Sequence, residues 1–329
     1  MKVGILGAGM IVHDLLTFIH QVEGVELTAI CALPEEKEKI EDMAKEHHIT
    51  STYVNYDEML KDEQVEVVYI AVNNHLHYEM SMKALKAHKH VICEKPFTSN
   101  VAELEELNAV AKAEHLLLLE AISTQYLPNV LKMKELLSKV GNVKIVSANY
   151  SQYSSRYNAF KEGKILPAFD VNKSGGALMD LNIYNIHLLV ALFVEPQHVE
   201  NHANIEKGID TSGIITLDYG TFKAVLIGAK DCKAPIMTSI QGDQGCLVLD
   251  TPANNTSRFK LLKNDKSEYD YDEQHGQHRM YFEFVEFVKI FEQKDFDRAQ
   301  EMMKKSLIAM KIATLARKSA GVEFPADQR

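Results

Sequence analysis

The chain has 329 residues, 46% of them hydrophobic and 25% charged, and a formal net charge of −10; this is the composition of a globular protein long enough for two domains. The acidic balance and the lack of a long basic run disfavour nucleic acid as a partner, and no apolar run approaches the length needed to span a bilayer. Cys31, Cys93, Cys232 and Cys246 have no C-x-x-C spacing, which argues against a zinc site or disulfide framework and for a reducing, cytoplasmic setting.

Lys2–Leu6 reads as an apolar strand. Gly7-Ala8-Gly9-Met10-Ile11-Val12 follows and opens an apolar helical pattern through Leu15, Leu16 and Ile19. A chain that starts this way reads as structure, not as a signal peptide. Strand, glycine turn and helix form the context a dinucleotide fingerprint needs. Gly7 permits the tight turn, and Gly9 lets the backbone approach a pyrophosphate at the helix start, with Ala8, Met10 and Ile11 beside it. The third fingerprint position is Val12, not Gly or Ala.

Val25–Cys31 is the second strand. Its end decides between a ribose 2′-hydroxyl and a 2′-phosphate. Ala32 and Leu33 are silent there, and Glu35 and Glu36 read as the first turn of the next helix. NAD and NADP both remain open, with a lean to NAD because no Arg is present. Alternation continues with a helix over Glu35–His47, a brief strand at Thr52–Tyr53 and a strand over Val65–Val72 that ends in Asn73-Asn74-His75-Leu76-His77. A helix over Tyr78–Ala87, a strand over His90–Cys93, a helix over Val101–Glu114 and a strand over Leu116–Glu120 complete this half. Strands separated by crossover helices predict a doubly wound parallel sheet over residues 1–121. His75 and His77 have no third ligand at metal spacing, so cofactor contact by Asn73, Asn74 and His77, or capping, is expected in place of metal.

The strand His90–Cys93 stops at Glu94-Lys95-Pro96. Pro96 forbids regular continuation, so Lys95 sits on a forced turn at the end of a strand where open α/β sheets bind ligands. Residues 122–329 change pattern. Strands over Val143–Ser151, Thr211–Asp218, Thr221–Ile227, Met237–Gln241 and Cys246–Asp250, joined by short turns, predict an open, mostly antiparallel sheet in an α+β domain. Its free apolar face is a candidate surface for a homodimer or homotetramer. Met280–Phe291 and Arg298–Ser319 are amphipathic helices, the last of which is a candidate to return to the first domain. Arg156 and Asn158 lie in a polar loop able to line a substrate cleft. Gly175-Gly176 precedes a helix starting near Ala177, whose spacing puts Asp180, Tyr184 and His187 on one face. For His187, a structural role is expected.

Gly7-Ala8-Gly9, Glu94-Lys95-Pro96 and Gly175-Gly176-Ala177-Leu178-Met179-Asp180-x-x-x-Tyr184, in this order, resemble the glucose–fructose oxidoreductase / inositol dehydrogenase / MocA family over nearly the whole chain. Tyrosine at 184 resembles the branch that includes dihydrodiol dehydrogenase. The resemblance implies NAD(P)-dependent hydride transfer at a hydroxyl or carbonyl carbon of a sugar, cyclitol or diol. It also implies a catalytic or substrate-orienting Lys95, often before a cis proline, with Glu94 and Lys95 among the residues that contact the cofactor. On that reading Tyr184 handles the hydroxyl proton and Asp180 orients Lys95 or the substrate. A tyrosine with its ordinary pKa of about 10 is a poor base, and a nearby ammonium favours its anion; whether Lys95 or Tyr184 moves the proton directly is left open. The other reading is a non-catalytic nucleotide-binding regulator on the same fold.

Overall fold

The computed structural model describes residues 1–328, in two compact units. The first is Met1–Ala121 together with Met280–Leu307; the second is Ile122–Arg279 with the segment from Ile308 on. The terminal helices thus divide differently from a single break after residue 121.

The first unit runs β1 (Lys2–Leu6), α1 (Met10–Leu16), β2 (Glu26–Cys31), α2 (Lys37–His47), β3 (Ser51–Tyr53), α3 (Tyr56–Met59), β4 (Val67–Ile70), α4 (His77–Lys86), β5 (His90–Glu94), α5 (Val101–Ala113) and β6 (Leu118–Ala121). All six strands pair in parallel, in the order β3-β2-β1-β4-β5-β6. This is the doubly wound sheet expected from the alternating pattern, with its switch point between β1 and β4. Val67–Ile70 is buried throughout, as a strand covered by helices on both faces requires. In register, Leu6 lies beside Ile70, and Ile70 beside Cys93. The turns that leave β1, β4 and β5 therefore emerge along one edge of the sheet.

The second unit begins with α6 (Pro128–Leu136), β7 (Val143–Ser151) and α7 (Tyr157–Lys161). A wide π turn over Leu178–Asn182 leads into α8 (Ile183–Leu192). The strands β8 (His198–Glu206), β9 (Ile209–Asp218), β10 (Lys223–Ala229), β11 (Met237–Gly242), β12 (Gly245–Leu249), β13 (Phe259–Lys263) and β14 (Glu268–Tyr271) follow. With β7 they form an eight-stranded sheet in the order β14-β13-β12-β11-β7-β10-β9-β8, antiparallel except for the β10–β7 pair. All ten residues of α8 are buried, which fits a helix apolar all round. The stretch Val171–Leu192 is long and apolar enough to cross a membrane by composition, contrary to the first reading of the sequence, but 89% of that window is buried inside the protein. Ile145, Ile214 and Met237 of the sheet are exposed.

Two helices complete the chain, α9 (Tyr281–Gln293) and α10 (Phe296–Ser319). In the first unit, Phe284 of α9 meets the rings of Phe18 and Tyr69 edge-on, with centroids 6.1 and 5.7 Å away. Gln300 of α10 donates to Asn108 Oδ1 of α5 at 3.1 Å. The far end of α10 belongs to the second unit, where buried Arg317 pairs with Asp327 at 2.6 Å.

Candidate active site

In the first unit the residues singled out in the sequence gather at the edge where the strands end. Gly7 has φ of +118°, and a Cβ there would lie 2.4 Å from the carbonyl oxygen of Ala71, just beyond β4. Only glycine fits, because the turns after β1 and β4 nearly touch at the switch point. Gly9 is different: a Cβ there would meet nothing within 4 Å. Its backbone is extended and caps α1, so open space lies in front of first-turn amides that have no partner within the helix. Ala8 is buried, while Met10 is 74% exposed and Leu33, just past β2, is 60% exposed. Such an open, amide-lined turn flanked by accessible apolar side chains fits the pyrophosphate and adenosine of a dinucleotide. The residues that would hold it are Gly7 to Ile11, with Leu33 nearby. The amide of Ala32 is already bonded to the Tyr53 carbonyl at 3.2 Å, so Ala32 would meet a cofactor through its carbonyl or methyl group, not as a donor.

Lys39 of α2 was not anticipated. Its ammonium bonds the carbonyl of Ala8 and lies 3.2 Å from Glu36 Oε1. It ties the second helix to the glycine turn and puts a cation and a carboxylate near the end of β2. Lysine in a charged helical run gives no sequence signal for such a role.

After β4, Asn73 is exposed and Asn74 half-buried, in the turn that leads to α4. His77 corrects an expectation. Its ring is 1% exposed, with Nδ1 2.8 Å from the Pro96 carbonyl oxygen and Nε2 3.1 Å from that of Val72. A neutral ring has one N–H and donates to one of the two. Burial pushes its pKa below the usual histidine value. His77 therefore braces the turn after β4 against the turn after β5, and its ring nitrogens face protein backbone, not a cofactor. Among the described residues, no cluster of three metal-ligating side chains forms.

The Lys95–Pro96 peptide is cis. Glu94, placed among cofactor ligands on the sequence, is 7% exposed. Its Oε1 accepts from Tyr69 at 2.6 Å and its Oε2 from the Lys95 amide at 3.3 Å. Its carboxylate thus anchors the turn from behind. Beyond Pro96, Asn100 Oδ1 accepts the Glu103 amide and Glu103 Oε2 accepts the Ser99 amide, both at 3.0 Å. This reciprocal cap fixes the start of α5. Lys95 itself is half-buried, on a turn held on both sides.

In the second unit, Gly175 and Gly176 answer to close approach. A Cβ on Gly175 would lie 2.6 Å from the Pro167 carbonyl oxygen. Gly176 has φ of +103°, and its Cβ would lie 2.0 Å from Asp210 Oδ1. Asp210 is buried in β9 and accepts the Leu178 amide at 2.6 Å. It thereby caps the π turn, and burial raises its pKa to about 7.

The π turn modifies the predicted single stripe, because five-residue bonding replaces the ordinary helical step; the Ile183 amide reaches back to the Leu178 carbonyl. The three side chains enter different surroundings. Asp180 Oδ2 lies 2.5 Å from Lys230 Nζ, with the aspartate side chain 38% exposed and the lysine 2%. Tyr184 is 7% exposed, with the Tyr150 ring at 6.2 Å. His187 is fully buried, and its Nδ1 lies 2.8 Å from Gln125 Nε2. Asn182 bonds the Leu226 carbonyl of β10 at 3.2 Å and packs where Gly228 leaves room. Arg156 is half-buried and precedes α7. Residues 152–156 form the polar loop expected there, and at Tyr157 it passes into α7, which carries Asn158 and is anchored by buried Tyr157 and Phe160.

Residues 1–122 match the model of the oxidoreductase family with the NAD-binding Rossmann fold. Residues 130–248 match the GFO/IDH/MocA C-terminal domain. The NADP(+)-dependent scyllo-inositol 2-dehydrogenase of Bacillus subtilis is 34% identical over 100% of this chain and 99% of its own length. The mouse trans-1,2-dihydrobenzene-1,2-diol dehydrogenase is 26% identical over 100% and 99%. Among solved structures, a levoglucosan dehydrogenase complexed with NADH and levoglucosan aligns over 98% of this chain and 97% of its own, with a TM-score of 0.82 at 17% identity. A 3-ketoreductase from Actinomadura kijaniata aligns over 97% of both chains, with a TM-score of 0.82 at 20% identity. Two family models over successive parts of the chain, and a relative matched end to end, make this protein an NAD(P)-dependent oxidoreductase of the Gfo/Idh/MocA family.

Proposed function

We propose that the protein interconverts a secondary hydroxyl and a carbonyl on a sugar, cyclitol or diol, with Tyr184 passing the hydroxyl proton and Lys95 assisting it. The nicotinamide cofactor, when bound, supplies or takes up the hydride. Lys95 brings an ammonium that favours negative charge on the tyrosine oxygen and on the substrate oxygen. Asp180 orients a substrate hydroxyl, and Arg156 contributes to the substrate side. The relatives named for an inositol, a dihydrodiol and levoglucosan point to ring-borne hydroxyls as the substrate class. The observation that carries this reading is Lys95. It is a half-buried lysine on a proline turn, at the same sheet edge as the open glycine turn, and the turn is braced by Glu94 and His77.

The test is a nicotinamide absorbance screen over cyclitols, aldoses and diols with NAD and NADP, followed by Tyr184→Phe and Lys95→Met on the best substrate. Loss of positioned acid–base help predicts a fall in kcat of about 10²–10⁴ for Tyr184→Phe. Near-full turnover in that variant rules out direct proton transfer by Tyr184. Tight cofactor binding by calorimetry with no turnover on any substrate favours the regulator reading.

A further inference from the structure

We propose that Lys230 is a positioning residue for this reaction, holding Asp180 in a single orientation from beneath the π turn. The inference rests on the role of Asp180 given above. Lys230 follows directly on β10. Its amide donates to the Thr211 carbonyl and its own carbonyl accepts the Ser154 amide, each at 2.8 Å. The backbone is thus pinned between β9 and the chain that leaves β7. The side chain is 2% exposed. Its ammonium donates to Asp180 Oδ2 at 2.5 Å and to the Ala168 carbonyl at 3.0 Å, and lies 4.6 Å from the centre of the Phe169 ring.

These contacts form a directed arrangement. Ala168 is immobilised because the Gly176 amide donates to its carbonyl at 3.1 Å and Gly175 presses against the same turn. Phe169 is buried and stacks on Phe160 at 4.8 Å. The cation is therefore held by a carbonyl and a ring that are themselves packed in place, and it also reaches a carboxylate that is 38% exposed. A buried ion pair is a poor source of stability, since apolar replacements of similar volume are often neutral or stabilising. What this pair achieves is orientation. The buried partner is fixed, and the accessible partner, four residues before Tyr184, is fixed through it. Lys230 touches no reacting atom on this reading and acts only through Asp180.

The experiment is a double-mutant cycle on the full-length protein with the best substrate from the screen. The variants are Lys230→Met, Lys230→Arg, Asp180→Asn and Lys230→Met/Asp180→Asn, with cofactor affinity measured by calorimetry. Misplacing a substrate-orienting group predicts a fall in kcat of about 10–100-fold for Lys230→Met. Cofactor affinity should stay within about twofold, and Lys230→Arg should recover part of the loss. In the Asp180→Asn background the same lysine change should cost less than about twofold, because the charge that Lys230 pairs with is already gone. Losses that multiply in the double variant, or a Lys230→Met enzyme within twofold of wild type, overturn the proposal. If Lys230→Met does not fold, Lys230→Gln alone and over Asp180→Asn supplies the cycle, with the same criteria. Full turnover in Tyr184→Phe would remove the role of Tyr184 and leave the Lys230–Asp180 coupling standing, so the two failures are distinguishable.

Discussion

The strand-end turns of the first unit and the π turn of the second are positioned by different means. Around Gly7 and Lys95 the backbone does most of the placing, through a left-handed glycine pressed against Ala71 and a proline turn braced by His77. Around Asp180 and Tyr184 the placing is done by titratable side chains from distant strands, Asp210 of β9 and Lys230 after β10. A backbone device tolerates few residue types and changes little with pH. A charged side-chain device tolerates isosteres but depends on protonation.

The largest effect that would break this contrast is expected at Gly7. Gly7→Ala forces a side chain into the left-handed region and into the Ala71 carbonyl. Together these cost on the order of 5 kcal/mol, comparable with the whole stability of many domains. Gly9→Ala meets open space in extended backbone, so it should unfold within about 1 kcal/mol of wild type yet bind dinucleotide at least about tenfold more weakly, because the methyl group occupies the phosphate's place. Urea unfolding and cofactor calorimetry on the two variants check this. Equal stability of the two variants would show that the turn at Gly7 is not backbone-limited.

The next effect sharpens the other side. Burial raises the Asp210 carboxyl to about 7 from an ordinary value of 3.8. The folded state then holds a proton that the unfolded chain releases, so this group's contribution to stability is full below about pH 4. It is lost as pH rises toward about 7 and is flat above that. The difference in unfolding free energy between wild type and Asp210→Asn should therefore change by up to about 4 kcal/mol across that window. Denaturant midpoints measured from pH 4 to pH 8 would reveal it. Parallel curves for the two proteins would mean that the cap of the π turn does not titrate.

The same contrast explains what was legible in the sequence. The parallel sheet, the glycine turn and the Lys95 turn were readable because their signals are local: glycine, proline and alternating apolar runs within a few residues of the site. Lys230 was not, because nothing in Ala229-Lys230-Asp231-Cys232 distinguishes a buried ion pair from a solvated strand end. Its partner lies 50 residues earlier and is brought near only by the pairing of β7, β9 and β10. Asp210 is hidden for the same reason. The edge strands β8 and β14 were not legible because β8 is largely exposed and polar, and β14 has little buried surface to impose an alternating pattern. The π turn escaped notice because Leu178–Asn182 has the composition of an ordinary helix.

His77 carries the smallest of these effects and tests the contrast from inside the first unit, since it is a titratable side chain serving a backbone device. Burial holds its pKa below the ordinary 6.5, so the folded state keeps the ring neutral while the unfolded chain takes up a proton. Its contribution to stability is complete above pH 6.5 and is lost as pH falls toward the lowered folded value. His77→Gln keeps a donor but cannot span the Val72 and Pro96 carbonyls in the same way, and one poorly satisfied buried carbonyl costs about 1–3 kcal/mol. The variant should show that loss at pH 8 and a smaller difference from wild type at pH 5. Because Pro96 follows Lys95, kcat should fall by a factor of about three to ten, with cofactor affinity little changed. A variant whose stability deficit is the same at both pH values would show that the brace acts by shape alone. The first unit would then be placed by its backbone geometry without help from charge.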